Sequence, residues 1–284
     1  MSEANDEWAA LNIDLDGETR KVYLATPVWF TGTGGDKIEI PYGGRLYLSD
    51  SYSLDPTKFF KPNFLGATVE YDVDLSQLEC NCIAAFYLVS MPGKKSDGSF
   101  DPSKDEHYYC DANQVGGVYC PEFDIMEANT YSFRSTPHPC DAPDSNGHYN
   151  SCDRGGTGAI DVQDKNIDHY GPGDQYEINT KEKFSVKIDF ENDNAGHATG
   201  YTTSISQNGL SIKMESNQGV TDMTEDLKNG MAFAISSWAS DSVDWLEHGR
   251  CSGQCPETTT LSFTNLKITT AAGKATTYNA AFLQ

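Results

Sequence analysis

Runs of alternating apolar and polar residues recur along most of the chain and leave little room for anything but strands. Val69, Tyr71, Val73 and Leu75 alternate with Glu70, Asp72 and Asp74, and Phe184, Val186, Ile188 and Phe190 alternate with Ser185, Lys187 and Asp189. Successive strand side chains point to opposite faces, so this period of two buries one face of a sheet and wets the other. Ile83 to Met91 and Met231 to Trp238 are nearly all apolar and fit central strands covered on both faces. Asn208-Gly209, set between alternating arms, is a hairpin signal, because a two-residue turn with both residues at positive φ favours this pair. Helix signals are confined to Asp222 to Asn229, which starts acidic and is followed by Gly230.

No repeat, linker or break in composition divides the 284 residues, so residues 1–284 read as one all-β domain, a sandwich of two large antiparallel sheets. With 42 acidic against 20 basic residues the net charge is −22, which argues against nucleic acid and anionic membranes as partners and suits neutral or cationic material. No run approaches the roughly 20 apolar residues of a membrane span. The polar start M-S-E-A-N-D-E-W carries no secretory leader, which fits a mature or recombinant form. Eight cysteines with no zinc-type spacing point to four disulfides and an oxidising, extracellular setting.

The stretch from Cys120 to Asn129, C-P-E-F-D-I-M-E-A-N, holds three carboxylates among apolar neighbours. Like charges so close repel, and desolvation sharpens the repulsion, so packing alone gives no reason for them. In a regular strand Glu122 and Asp124 share a face and Glu127 points away; a single β-bulge between Asp124 and Glu127 restores the parity. A row of this kind suits retaining glycoside hydrolysis, which needs an ionised carboxylate as nucleophile and a protonated carboxyl as general acid about 5 to 5.5 Å apart. Asp124, between them, would orient the nucleophile by a hydrogen bond and help keep the acid protonated.

The segment Cys120 to Cys140, ending T-P-H-P-C, resembles the E-x-D-x-x-E catalytic strand of glycoside hydrolase family 7, the β-jelly-roll cellulases. F-Y-L-V-S-M (Phe86 to Met91), Y-C-D (Tyr109 to Asp111), Y-G-P-G (Tyr170 to Gly173), S-S-W (Ser236 to Trp238) and L-S-F-T-N-L-K-I (Leu261 to Ile268) are similar to family segments in family order. The acid triad also occurs in the related family 16 β-glucanases, and Met126 is more like that family. The T-P-H-P-C segment and the cysteine positions favour family 7.

The resemblance implies a jelly roll with a concave cleft, Glu122 as nucleophile, Asp124 as its assisting acid and Glu127 as acid/base. It gives His138 a sugar contact, against the alternative of a hydrogen-bonded structural histidine. Asp111 and Tyr87 match cleft residues with either a packing or a sugar-binding role. Trp238 and Trp245 resemble two tryptophans that stack on sugars, their alternative being ordinary core aromatics. Arg250 sits where the family places a product-side arginine, or else makes a surface ion pair. The disulfides implied are Cys110 with Cys120 and Cys140 with Cys152, and Cys80 and Cys82 with Cys251 and Cys255 in an order left open.

Against the cellobiohydrolases the chain is short, with a small charged loop between Met91 and Tyr108, so an open cleft and endo-action are expected. Trp8 and Trp29 are candidate distal stacking sites. The expectation is a secreted, monomeric, retaining endo-β-glucanase that needs no cofactor or metal and acts on soluble β-1,4-linked or mixed-linkage glucan. Alternatives are β-1,3-glucan or chitosan as substrate, a polysaccharide lyase, and a non-catalytic glycan-binding protein.

Overall fold

The computed structural model describes residues 10–25, 35–53, 55–103, 107–163 and 169–274. Trp8 and Trp29 lie outside the described residues. Sixteen strands lie among the described residues: β1 (Ala10–Leu15), β2 (Glu18–Ala25), β3 (Ile38–Pro41), β4 (Arg45–Ser49), β5 (Thr68–Asp74), β6 (Cys82–Val89), β7 (Glu122–Ala128), β8 (Phe133–His138), β9 (Ile160–Asp161), β10 (Tyr170–Gly171), β11 (Ile178–Asn179), β12 (Phe184–Asn192), β13 (Ala198–Gln207), β14 (Leu210–Ser216), β15 (Ala232–Ala239) and β16 (Thr260–Thr269).

The strands form a β-jelly-roll sandwich, and its two layers are continuous. The hydrogen-bonded order is β14-β13-β12-β5-β16-β1-β2-β4-β15-β6-β7-β8-β9, with β3 beside β16. All pairs in this sheet are antiparallel except β1 with β16. A twisted sheet of this length curls upon itself. Its first strands therefore lie over its last: Tyr71 of β5 stacks on Phe86 of β6 with centroids 4.2 Å apart, and Phe123 of β7 meets Phe190 and Tyr201 of β12 and β13 edge-on, at 5.0 Å each. The ends of the path, β14 and β9, lie against one another.

Period-two residues decide which face is which. On β5 and β12 the apolar set is buried and the polar set half-exposed, whereas every residue of β6 is buried. Cys82, Ala84, Phe86 and Leu88 of β6 enter the inter-layer core; Ile83, Ala85, Tyr87 and Val89 join a second apolar cluster with Tyr47, Tyr109, Ala232 and Ala234, against which Trp238 packs. That second cluster floors the opposite face of the inner layer.

Asn208 and Gly209 form the turn between β13 and β14, with φ of 52° and 83°. The helix signal is met by a short 3-10 turn at Val220–Met223 running into a helix at Thr224–Asn229, with Gly230 as its C-cap.

Candidate active site

The bulge lies where parity requires it. On β6, Tyr87 faces Asp124, Phe86 faces Met126 and Ala85 faces Glu127, so Ile125 is the extra residue; the β8 pairing slips between the same two acids. Phe123, Ile125 and Met126 all enter the core, which leaves Glu122, Asp124 and Glu127 in one row on the other face. Glu122 and Asp124 are buried and Glu127 is half-buried. The bulge strips the Ile125 carbonyl of a regular ladder partner, and the Ser135 hydroxyl on β8 donates to it at 2.6 Å.

The strands on either side furnish the rest of the floor. His138, Thr136 and Arg134 of β8 stand opposite Glu122, Asp124 and Glu127, and Val89, Tyr87 and Ala85 of β6 stand on the other side. Further along the sheet, Ala234 and Tyr47 extend the Tyr87 level, and Ser236 and Arg45 that of Ala85. The Arg45 guanidinium lies 3.7 Å from the centroid of Tyr109.

Each acid has different company. Glu122 Oε2 accepts the backbone N–H of Ala112 at 3.1 Å, delivered by the loop that the Cys110–Cys120 disulfide closes. Asp124 Oδ2 lies 3.0 Å from His138 Nε2. No hydrogen bond joins Asp124 to Glu122, so the two are coupled by charge and not by the expected positioning bond. Glu127 makes no hydrogen bond to any described residue and is the least buried of the three.

His138 is fully engaged by the protein. Its Nδ1 lies 2.7 Å from the carbonyl of Asp153, which can only accept, so Nδ1 carries the hydrogen. Nε2 then either accepts a proton from a neutral Asp124 or donates one to an ionised Asp124, and the pair holds one proton between them. Asp153 is itself fixed by four donors from Gly155, Gly156 and Thr157. Gly156 has a φ of +77°, and a Cβ there would come within 2.0 Å of Thr136 Cγ2. Only glycine lets this loop close on His138.

All three carboxyls are raised. Burial pushes Glu127 to about 8, with the Asp124 charge adding to the rise and His138 and Arg134 opposing it. Burial, then the Asp111 charge, pushes Asp124 to about 8, against the pull of Arg134. Glu122 rises well above its ordinary value from burial and the Asp124 charge. The three cannot all ionise together, so the row retains protons at neutral pH. Among them Glu122 has an N–H aimed at its oxygen, and the negative charge is best placed there.

The remaining candidates divide. Asp111 is buried behind the row, accepts the Val115 N–H at 2.8 Å and acts on Asp124 and Glu122 by charge. Tyr87 is 3 % exposed, stands beside Asp124 on the neighbouring strand and donates to the Tyr109 hydroxyl at 3.3 Å. Trp238 is half-buried on the cleft face and Trp245 is 42 % exposed. Arg250 donates to the main-chain carbonyls of Tyr131 and Tyr170, bracing the turn after β7.

The four disulfides are Cys80–Cys251, Cys82–Cys255, Cys110–Cys120 and Cys140–Cys152, which resolves the open order. Between the first two, the buried Glu247 accepts from the Asn81 N–H at 2.7 Å and from the Asn129 side-chain amide at 2.6 Å. The segment bearing Trp245 is thereby fastened to the end of β7. Glu122, Asp124 and His138 are also the only described trio of ligand-type side chains whose ligand atoms lie within 4.8 Å of each other. His138 Nε2 is turned to Asp124, so two of the three are already partnered with each other.

Arg134 was not evident from the sequence. Counting back from His138 opposite Glu122, and allowing for the bulge, sets it opposite Glu127, but that count needs the β7–β8 hairpin to be recognised first.

Several known proteins resemble this chain in sequence and fold. The profile of "Glycosyl hydrolase family 7" matches residues 101–218. Endoglucanase EG-1 of Hypocrea jecorina is 27% identical over 286 residues, covering 89% of this chain and 58% of the relative. The endo-beta-1,4-glucanase celB of Emericella nidulans is 29% identical, covering 75% of this chain and 64% of the relative. The chain thus spans about three fifths of the length of these relatives. Among solved structures, an endoglucanase I complexed with cellobiose superposes with a TM-score of 0.76 at 19% identity, over 96% of this chain and 99% of the other. A family 7 cellobiohydrolase from Daphnia pulex gives 0.71 at 18% identity, over 94% and 98%. Sequence profile and relatives are similar to glycosyl hydrolase family 7, and the fold is that of the solved structures of endoglucanases and cellobiohydrolases.

Proposed function

We propose that the protein is a secreted, retaining endo-β-glucanase that cleaves β-1,4-linked glucan in an open cleft. The observation that carries this reading is the bulge at Ile125, which turns three strand carboxylates onto one face. A structural strand has no use for that expense of desolvated charge. Glu122 attacks the anomeric carbon while Glu127 protonates the departing glycosidic oxygen; water then attacks the glycosyl-enzyme with Glu127 as base. Glu122 and Glu127 lie four ladder steps apart on β6, about 13 Å along the strand, so both long side chains lean inward to meet one glycosidic bond.

The Asp124–His138 pair keeps a mobile proton beside the nucleophile. Trp238 and Trp245 offer flat faces to glucosyl rings. Relatives named endoglucanase and endo-beta-1,4-glucanase support a β-1,4-linked substrate, and the half-buried Glu127 with the exposed Trp245 supports entry in mid-chain. Four disulfides support an oxidising, extracellular setting for a single catalytic domain acting as a monomer.

The test is mass spectrometry of products from mixed-linkage glucan, carboxymethyl cellulose, laminarin, chitosan and a polyuronate, with wild type and Glu122→Gln. Products of several lengths carrying one added water, from a β-1,4-linked glucan and only with wild type, are expected. Hydrated products from laminarin or chitosan alone would replace the substrate, unsaturated products would replace the reaction, and no products would overturn the enzyme reading.

A further inference from the structure

Among the described residues Arg134 is the cation that stands across the ladder from the proposed acid. It faces Glu127 across the β7–β8 ladder and Asp161 across the β8–β9 ladder. Cross-strand partners project to the same face, their Cβ atoms about 5 Å apart. Behind them His248 Nε2 lies 3.1 Å from Asp161 Oδ2, while Asp161 Oδ1 accepts the Gln163 N–H at 2.8 Å. The four side chains form a line: Glu127, Arg134, Asp161, His248.

Arg134 bonds to neither carboxylate. Its Nη1 donates to the Trp245 carbonyl at 3.3 Å, and the guanidinium stands 6.0 Å from the Trp245 ring centroid. The cation is thus parked between two acids by a main-chain contact, acting on both through its field. Asp161 is held by its own partners and competes with Glu127 for that field.

We propose that Arg134 is a positioning residue for Glu127, that Asp161 with His248 sets how much of its charge Glu127 feels, and that the same cation holds Trp245 to the cleft. The proposal rests on the reading of Glu127 as acid/base. Other groups facing Glu127 are Asp124 on its own strand and His138 on β8; its β6 neighbour, Ala85, is uncharged. Arg134 lowers the affinity of both Glu127 and Asp124 for their protons, against the larger effect of burial, which raises it. It trims a value that burial has set too high, so that Glu127 can give up its proton in the first step and act as a base in the second.

The line predicts shifts of opposite sign. Removing the cation in Arg134→Met should raise the Glu127 pKa by roughly one unit, because an adjacent positive charge favours the ionised form. Asp161→Asn should lower it, because the cation then turns fully to Glu127. Arg134→Lys keeps the charge and should restore the value to near that of wild type.

The experiment is a carboxyl carbon NMR titration of the full chain labelled with 13C-glutamate, with the Glu127 signal assigned by its loss in Glu127→Gln. Opposite shifts in Arg134→Met and Asp161→Asn, with Arg134→Lys near wild type, support the proposal. Shifts of the same sign, or none, overturn it. If Arg134→Met does not fold, a downward shift in Asp161→Asn with none in Arg134→Lys supports the line, and no downward shift in Asp161→Asn overturns it. No substrate is needed, so a chain that cleaves no glucan would end the functional reading and still decide the wiring. With an active enzyme, the basic limb of the pH profile of kcat/KM should move in the same directions.

Discussion

The hydroxyl of Ser135 reaches 2.6 Å to the carbonyl of Ile125, the residue that the bulge adds to β7. Ser135 also lies 3.1 Å from the Thr203 hydroxyl of β13, so one side chain steadies the strand of the acid row and ties it to the opposing layer. Ser135→Ala should leave a buried carbonyl unpaired and cost about 1–3 kcal/mol. Chemical denaturation will measure it; a loss below about half a kcal/mol would mean that the bulge needs no such support.

Glu122→Gln and Glu127→Gln should fold normally and lose roughly 10²- to 10⁴-fold or more in kcat. Asp124→Asn should lose less. Because the Asp124 charge raises Glu127, its removal lets Glu127 ionise earlier, and the basic limb of the activity profile should move to lower pH. Steady-state kinetics across pH checks all three, and full activity in either Gln variant would end the mechanism.

Stability should fall as pH rises through the neutral range. Asp124 and Glu127 sit near about 8 in the fold against ordinary values of 3.8 and 4.5. The folded state therefore holds protons that the unfolded chain has released, and their contribution, full below about pH 4, is lost as pH climbs to about 8. Asp153 runs the other way: the Thr157 hydroxyl and nearby N–H groups hold it below 3.8, so its contribution is lost on acidification. Tm should peak in mild acid. Between about pH 5 and pH 8 its decline should be shallower in Glu127→Gln, and parallel declines would refute the assignment.

The paired change Cys82→Ser with Cys255→Ser removes a crosslink spanning 173 residues. A loss of about 3–5 kcal/mol is expected from the freed unfolded chain. The segment carrying Trp245 would lose one of its fastenings and keep only Cys80–Cys251 and Glu247, so its looser hold should raise KM more than it lowers kcat. A fall in kcat alone would place Trp245 outside substrate binding.

Much of the fold could be read from the chain because buried and exposed positions alternate so regularly. Val69 to Asp74 and Phe184 to Phe190 lie on the expected strands, and the parity of Glu122, Asp124 and Glu127 demanded the bulge that is present. The continuity of the layers was not legible, since β1 joins β16 in parallel across some 250 residues of sequence, beyond the reach of any local pattern. The roles of His138 and Arg250 were also hidden: a side chain's partner is fixed by loops such as Asp153 to Thr157 that only tertiary packing brings into place. Arg134 was missed because a single arginine in F-R-S-T-P-H gains meaning only from its cross-strand neighbours.

The curl that brings β14 against β9 also bears on how such a chain survives in concentrated solution. A flat sheet of this size would end in two open rows of backbone donors and acceptors, each a template for recruiting further strands. Here the two ends of the path lie against one another, so the bend that curls the sheet also guards against fibrous aggregation.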